Sequence, residues 1–97
     1  MTMNEMTFEW DPQKAASNVL KHKIWFEEAV TVFSDPLARI HDDPLHSQQE
    51  PREIIVGKSG LGRLLLVVFV ERENRVRLIS ARRATQTERK DFEEAKP

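Results

Sequence analysis

The chain has 97 residues, of which 15 are lysine or arginine and 16 aspartate or glutamate, giving a formal net charge of −1. That length builds one hydrophobic core and leaves no room for a second domain, so residues 1–97 are expected to form a single domain. The absence of cysteine excludes a disulfide framework and a thiolate metal site and fits a reducing cytosol.

Met1 to Thr7 lacks the basic start and apolar run of a signal peptide, and Leu64 to Val70, the longest apolar run, is too short to span a bilayer as a helix. A cytoplasmic location without membrane contact is therefore expected. Phe8-Glu9-Trp10 predicts a short first strand. Asp11-Pro12 is a helix start, with aspartate as cap and proline where a missing N–H costs nothing, and the helix should run to about His22. Ala15, Ala16, Val19 and Leu20 form its predicted inward stripe, with Asn18, Lys21 and His22 facing elsewhere. Phe26, Ala29, Val30 and Phe33 recur at helical spacing and predict a second short helix, closed by Asp35-Pro36, that forms a hairpin with the first.

Four strand-like runs follow, Leu37 to Asp42, Glu53 to Lys58, Arg63 to Glu71 and Arg75 to Ala81, separated by turn chemistry at Asp43-Pro44, Gly57 to Gly62 and Glu73-Asn74. Connections this short favour an antiparallel meander. Leu64 to Val70 is apolar on both faces, as a central strand covered on both sides would be. Gly57 to Gly62 lacks the spacing of a phosphate loop and opens no helix, so it reads as a hairpin turn. The predicted class is α+β: a helical hairpin packed on an antiparallel sheet of four main strands plus a short first strand, with a C-terminal helix.

The last strand carries the chemistry. Alternation puts Val76, Leu78 and Ser80 on one face and Arg75, Arg77 and Ile79 on the other. Thr85 and Glu88 form a capping box, so the final helix, Gln86 to Lys96, begins just after it, with Arg82 and Arg83 in the preceding turn. Adjacent residues there point different ways, so one of the two at most joins Arg77. Guanidinium groups suit a phosphodiester because each stays charged and offers two parallel donors. From Lys58 to Lys90 the basic residues are Lys58, Arg63, Arg72, Arg75, Arg77, Arg82, Arg83, Arg89 and Lys90, opposed only by Glu71, Glu73 and Glu88. Such asymmetry suggests a surface for a polyanion, although isolated arginines are more often simply solvated or salt-bridged. The final helix has only Phe92 and Ala95 as apolar residues, which predicts that it is either mobile or docked on a partner. His41, Asp42, Asp43 and His46 are ligand types, but Pro44 bends the segment and no second cluster completes a shell, so no metal and no other cofactor is expected. Trp25 is expected to pack rather than to stack on a base.

Phe8-Glu9-Trp10-Asp11-Pro12, Lys21-His22, Phe26-Glu27-Glu28-Ala29, Phe33-x-Asp35-Pro36, His46-Ser47-x-x-Glu50-x-Arg52, Gly57-x-Ser59, Gly62-Arg63-Leu64-Leu65 and Ile79-Ser80-Ala81-Arg82-Arg83-Ala84-Thr85-x-x-Glu88-Arg89 resemble, in order and spacing, the BrnT family of type II toxins. The resemblance covers nearly the whole chain. It implies a RelE-like fold, an endoribonuclease toxin that blocks translation, and a BrnA-type antitoxin, a ribbon-helix-helix DNA-binding protein, that binds the toxin in a hetero-oligomer and represses the shared promoter. Promoter DNA would be reached only through that antitoxin. The sequence departs from the family at Lys23 and Trp25, where glycine and a small polar residue are usual; Lys23 must either take a positive φ or change the turn.

Metal-free RNA cleavage uses the neighbouring 2′-hydroxyl as nucleophile, and so needs a base near it, an acid near the leaving oxygen and cations where phosphate charge builds. The expected assignment has Arg77 and Arg82 on the scissile phosphate and Glu50 or His46 as base or orienter. Arg52 belongs to the same stretch, and His22 or Lys21 assists. Lys58, Arg63, Arg75 and Arg83 are expected to contact RNA, and Phe92 and Arg89 the antitoxin. Plainer roles are open to each: His46 can hydrogen-bond its loop, His22 can satisfy a helix end, and Glu50 can pair with Arg52. The alternative function is a nucleic-acid- or partner-binding module without catalysis.

Overall fold

The elements in chain order are β1 (Thr7–Glu9), α1 (Pro12–His22), α2 (Phe26–Thr31), β2 (Arg39–Asp42), β3 (Glu53–Lys58), β4 (Leu64–Arg72), β5 (Arg75–Arg83) and α3 (Gln86–Glu94). The structure, a computed structural model, describes residues 6–43 and 50–95. Pro44 and His46, which the sequence reading used, and Lys96 of the predicted final helix lie outside the described residues. None of the described helices is long and apolar enough to cross a membrane.

The sheet order is β1-β5-β4-β3-β2. From β2 to β5 each strand is antiparallel to the next, the expected meander, whereas β1 runs parallel to β5 through Thr7, Phe8 and Glu9, so the sheet is mixed. β4 is central, which explains its continuous apolar run. Leu65, Val67 and Phe69 enter a core with Ile24, Phe26, Ala29, Val32, Phe33, Ile55, Val76, Leu78 and Ala81 on the side of α1 and α2. Leu64 and Leu66 point the other way and join Val56 in a smaller cluster. Each such valine, leucine, isoleucine or phenylalanine side chain contributes about 1.5–3 kcal/mol by leaving water.

That second cluster corrects the expectation for the final helix. Phe92 packs on Val56, Leu64 and Leu66, so α3 docks on its own sheet. The capping box forms as predicted: Thr85 Oγ1 accepts from the Glu88 N–H at 3.1 Å and Glu88 Oε1 accepts from the Thr85 N–H at 2.9 Å.

α1 begins as its sequence demands, with Asp11 Oδ1 accepting from the Gln13 N–H at 2.8 Å. It ends on Lys23 at φ 61°, in the left-handed region, with the Lys23 N–H donating to Val19 O at 2.9 Å. The unfavourable φ is therefore adopted and the turn retained. Its inward face differs from the predicted stripe. Ala16 and Leu20 are exposed, Leu20 to 75 %, and the buried residue is Asn18. The reason is the edge of β5, which β1 covers only as far as Arg77. Beyond it the Asn18 amide donates to Ala81 O at 2.7 Å and Ile24 O at 2.9 Å, while Asn18 Oδ1 accepts from the Ala81 N–H at 2.9 Å. One side chain thus stands in for a missing strand, and its burial is tolerated because its bonds are made.

α2 is followed by a 3₁₀ turn at Val32–Ser34 that stops before Asp35-Pro36. Inside it Glu28 is 7 % exposed, held by the Ser59 hydroxyl at 2.6 Å and by both arms of the Arg63 guanidinium. Ser59 to Gly62 closes the β3–β4 hairpin as expected, with Gly62 at φ 80°. Glu73 and Asn74 both take positive φ, 52° and 68°, in the two-residue turn that joins β4 to β5.

Candidate active site on the arginine face of the sheet

β5 runs on to Arg83, so Arg82 and Arg83 belong to the strand and not, as predicted, to the turn after it. Its alternation is also interrupted. Val68 pairs with Ser80 and Phe69 with Leu78, which leaves Ile79 as an extra residue without a partner, a β-bulge. Directly opposed residues share a face. Arg77 opposes Val70, Ser80 opposes Val68 and Arg82 opposes Leu66, so all three project from the face that α3 covers. Arg83 opposes Leu65 and faces α1 and α2. Ser80 is thereby moved to the arginines, away from Val76 and Leu78 with which simple alternation groups it.

Each arginine that β4 and β5 place on this face meets a carboxylate. Arg77 lies 3.2 Å and Arg75 3.6 Å from Glu9, and Arg72 pairs with Glu50. Arg82 makes two bonds of 2.8 Å to the two oxygens of Glu88. Those bonds, aided by Thr85, hold the Glu88 carboxyl down at about 2 against the opposing effect of burial. Glu50, Glu9, Arg72, Arg75 and Arg77 surround a small cavity of about 130 Å³ floored by Val70. The predicted Glu50 and Arg77 are thus brought together, and Glu50 pairs with Arg72. Arg52 is half-buried at the entrance to β3, its carbonyl accepting from the Asp43 N–H at 3.0 Å.

The other sequence candidates are placed differently. Arg63 is committed to Glu28, whose carboxyl it holds below the ordinary carboxylate range. Lys58 is exposed at the end of β3, and Arg83 is exposed on the helix side, where its charge also favours ionised Glu28. Lys21 and His22 are exposed in the last turn of α1, and among the described residues no hydrogen bond or ion pair joins either of them to the arginines of β5. Arg89 lies 3.9 Å from Glu93 along α3. Trp25, expected to pack, is 61 % exposed.

Two residues that the sequence reading did not select for the site also reach this face. Arg39 opposes Val56 and His41 opposes Ile54, so both project from β2 toward α3. With Glu88 and Asp91 they border a cavity of about 250 Å³ over Val56 and Leu66. The available signal was the period of two in Arg39-Ile40-His41, with Ile40 on the opposite face.

These features define a small α+β domain whose mixed sheet carries a cationic, carboxylate-braced face suited to a polyanion. The family described as the ribonuclease toxin BrnT of type II toxin-antitoxin systems matches residues 10–88. The chain belongs to the BrnT family. Its fold is similar to the 1.1 Å crystal structure of the Brucella abortus ribonuclease toxin BrnT, with TM-score 0.64 and 23 % identity, covering 84 % of this chain and 99 % of that one. No curated protein sequence matches the chain.

Proposed function

We propose that the chain is an endoribonuclease that cuts RNA without a metal ion, holding the scissile phosphate between Arg77 and Arg82, and that a BrnA-type ribbon-helix-helix antitoxin neutralises it and represses their shared promoter with it. Family membership supports the ribonuclease reading. The observation that carries the assignment to residues is the bulge at Ile79, which sets Arg77, Ser80 and Arg82 on one face.

On that face Glu9 orients Arg77 and Arg75 through half-exposed pairs worth about 0–1 kcal/mol, so a phosphate can take the carboxylate's place at little cost. Charge-assisted donors then face the oxygens on which negative charge grows as the 2′-hydroxyl attacks. Glu50, which lines the same small cavity as Arg77, is the candidate base or orienter, a role for which His46 is the alternative candidate. Lys21 and His22, exposed at the end of α1, remain the candidates for an assisting role. An antitoxin suited to this face carries carboxylates that replace Glu9 and Glu88, and it can reach outward-facing Arg89 directly but Phe92 only by lifting α3.

Incubation of the purified protein with total RNA in EDTA tests the proposal. Fragments are expected from the wild type and not from Arg77→Ala or Arg82→Ala variants of unchanged melting temperature. Salt-sensitive retention of RNA without fragments would identify a non-catalytic binding module instead.

A further inference from the structure

The cavity between α3 and the β2–β3 edge has chemistry that holding a phosphate does not use. Val56 and Leu66 lie beneath it, the Phe92 ring borders it, and Arg39, His41 and Asp91 stand at its rim. Arg72, Arg75, Arg77 and Arg82 all have carboxylate partners on this face. Among the described residues, Arg39, His41 and Asp91 have no side-chain partner. The polar rim is therefore unsatisfied by the protein itself. At about 250 Å³ the cavity falls below the roughly 300–1,000 Å³ that accommodates whole small-molecule ligands. A flat ring fits such a space better than a ring with its sugar and phosphate. The phosphate has its own place next door, because Glu88, which borders the cavity, is the partner of Arg82.

We propose that this cavity receives one base of the RNA and that Asp91 and Arg39 together make it prefer guanine. The proposal rests on the reading of Arg82 as a phosphate holder, and not on catalysis. Guanine presents two adjacent N–H donors, N1 and N2, which a carboxylate accepts as a parallel pair. On the other side it presents O6 and N7, which a guanidinium serves with two donors. Adenine and cytosine each offer a single amino group with an acceptor beside it, and uracil offers one N–H between two carbonyls. None of these three matches a carboxylate on one side and a guanidinium on the other with two bonds each. Phe92 and the two aliphatic side chains supply the apolar contact that any base accepts, so affinity comes from them and choice from the rim.

The test is binding of the 3′-monophosphates of guanosine, adenosine, cytidine and uridine to the wild type and to Asp91→Asn, Arg39→Gln and Arg82→Ala variants, measured by calorimetry, with melting curves as a fold control. Wild type should bind the guanosine nucleotide about tenfold tighter or more, in keeping with the discrimination of a bidentate pair. Asp91→Asn and Arg39→Gln should each reduce that preference and leave the other three affinities within about twofold, whereas Arg82→Ala should weaken all four alike. Equal affinities for the four nucleotides, a guanine preference that survives both rim substitutions, or no binding at millimolar concentration would overturn the proposal. Because this measurement needs no cleavage, guanine preference without RNA fragments sinks the nuclease reading alone. Fragments without any nucleotide preference sink the base site alone.

Discussion

Arg77 and Arg82 are separated by five positions on one strand, an odd number, and nevertheless point to the same side of the sheet, because Ile79 between them opposes no residue of β4. Val76 and Leu78 before the bulge and Ala81 after it all reach the helix-side core, so burial fixes the phase on both sides of the break. Arg83, one residue further, is turned to the opposite face.

That placement separates two neighbouring arginines of the same charge. Arg82→Ala should lower RNA cleavage by about tenfold or more, since hydrogen bonds to charged groups contribute about 1.5–3 kcal/mol. Arg83→Ala should leave it within about twofold. Initial rates on one RNA, at matched protein concentration and with melting curves, decide the matter. Equal losses from both variants would mean that the β5 faces do not divide the work.

Glu88 links the site to pH. Its carboxyl ionises at about 2 in the fold, against an ordinary value of 4.5, chiefly because the Arg82 guanidinium binds its charged form. A depressed carboxyl stabilises the fold fully above the unfolded value and loses that contribution as pH falls through the folded one. Wild type should therefore exceed Glu88→Gln in stability at neutral pH, by no more than about 1 kcal/mol for so exposed a pair. The difference should shrink between pH 4.5 and 2. Urea midpoints measured across that range give the answer; a difference that grows on acidification contradicts the pairing.

Local signals with a local cause were legible in the sequence. Asp11-Pro12 and Thr85 with Glu88 start helices through bonds within one turn, and Glu73-Asn74 makes its hairpin through its own backbone. Leu64 to Val70 announced a strand covered on both faces. What escaped depends on partners far along the chain. The bulge at Ile79 exists only relative to Val68 and Phe69, and period-two alternation reads straight through it. Asn18 resembles a surface residue until the short reach of β1 leaves Ala81 at an open edge. Phe92 seemed to lack a local surface because Val56, Leu64 and Leu66 come together from two strands. Arg39 and His41 gained meaning only when α3 covered their side of β2.

Lys23 ends α1 at φ 61°, where a Cβ is strained and glycine is not. Lys23→Gly should stabilise the protein by about 0.5–1 kcal/mol, less the weak bond from Lys23 Nζ to Leu20 O at 3.3 Å. For a domain of this size that raises the melting temperature by a few degrees, about 4 °C. Calorimetry on the pair of proteins checks it, and a lower melting temperature would show that the lysine side chain contributes more than its backbone costs.

Asn18 offers the largest effect outside the site. Asn18→Leu keeps the volume close but leaves Ala81 N–H, Ala81 C=O and Ile24 C=O without their side-chain partner. Each buried polar group so deprived costs about 1–3 kcal/mol, so a loss of at least about 3 kcal/mol is expected. The same change uncovers the β5 edge beyond Arg77, and an open edge pairs readily with another chain. Reduced stability in urea should therefore come with self-association on size exclusion at concentrations where the wild type shows none. Because the edge carries Arg82 one residue from Ala81, cleavage should fall as well even in the fraction that stays folded. A variant that kept the wild-type urea midpoint and elution volume would mean that the edge is held by the packing of Ala15 and Ile24 alone, and that the amide bonds of Asn18 are incidental.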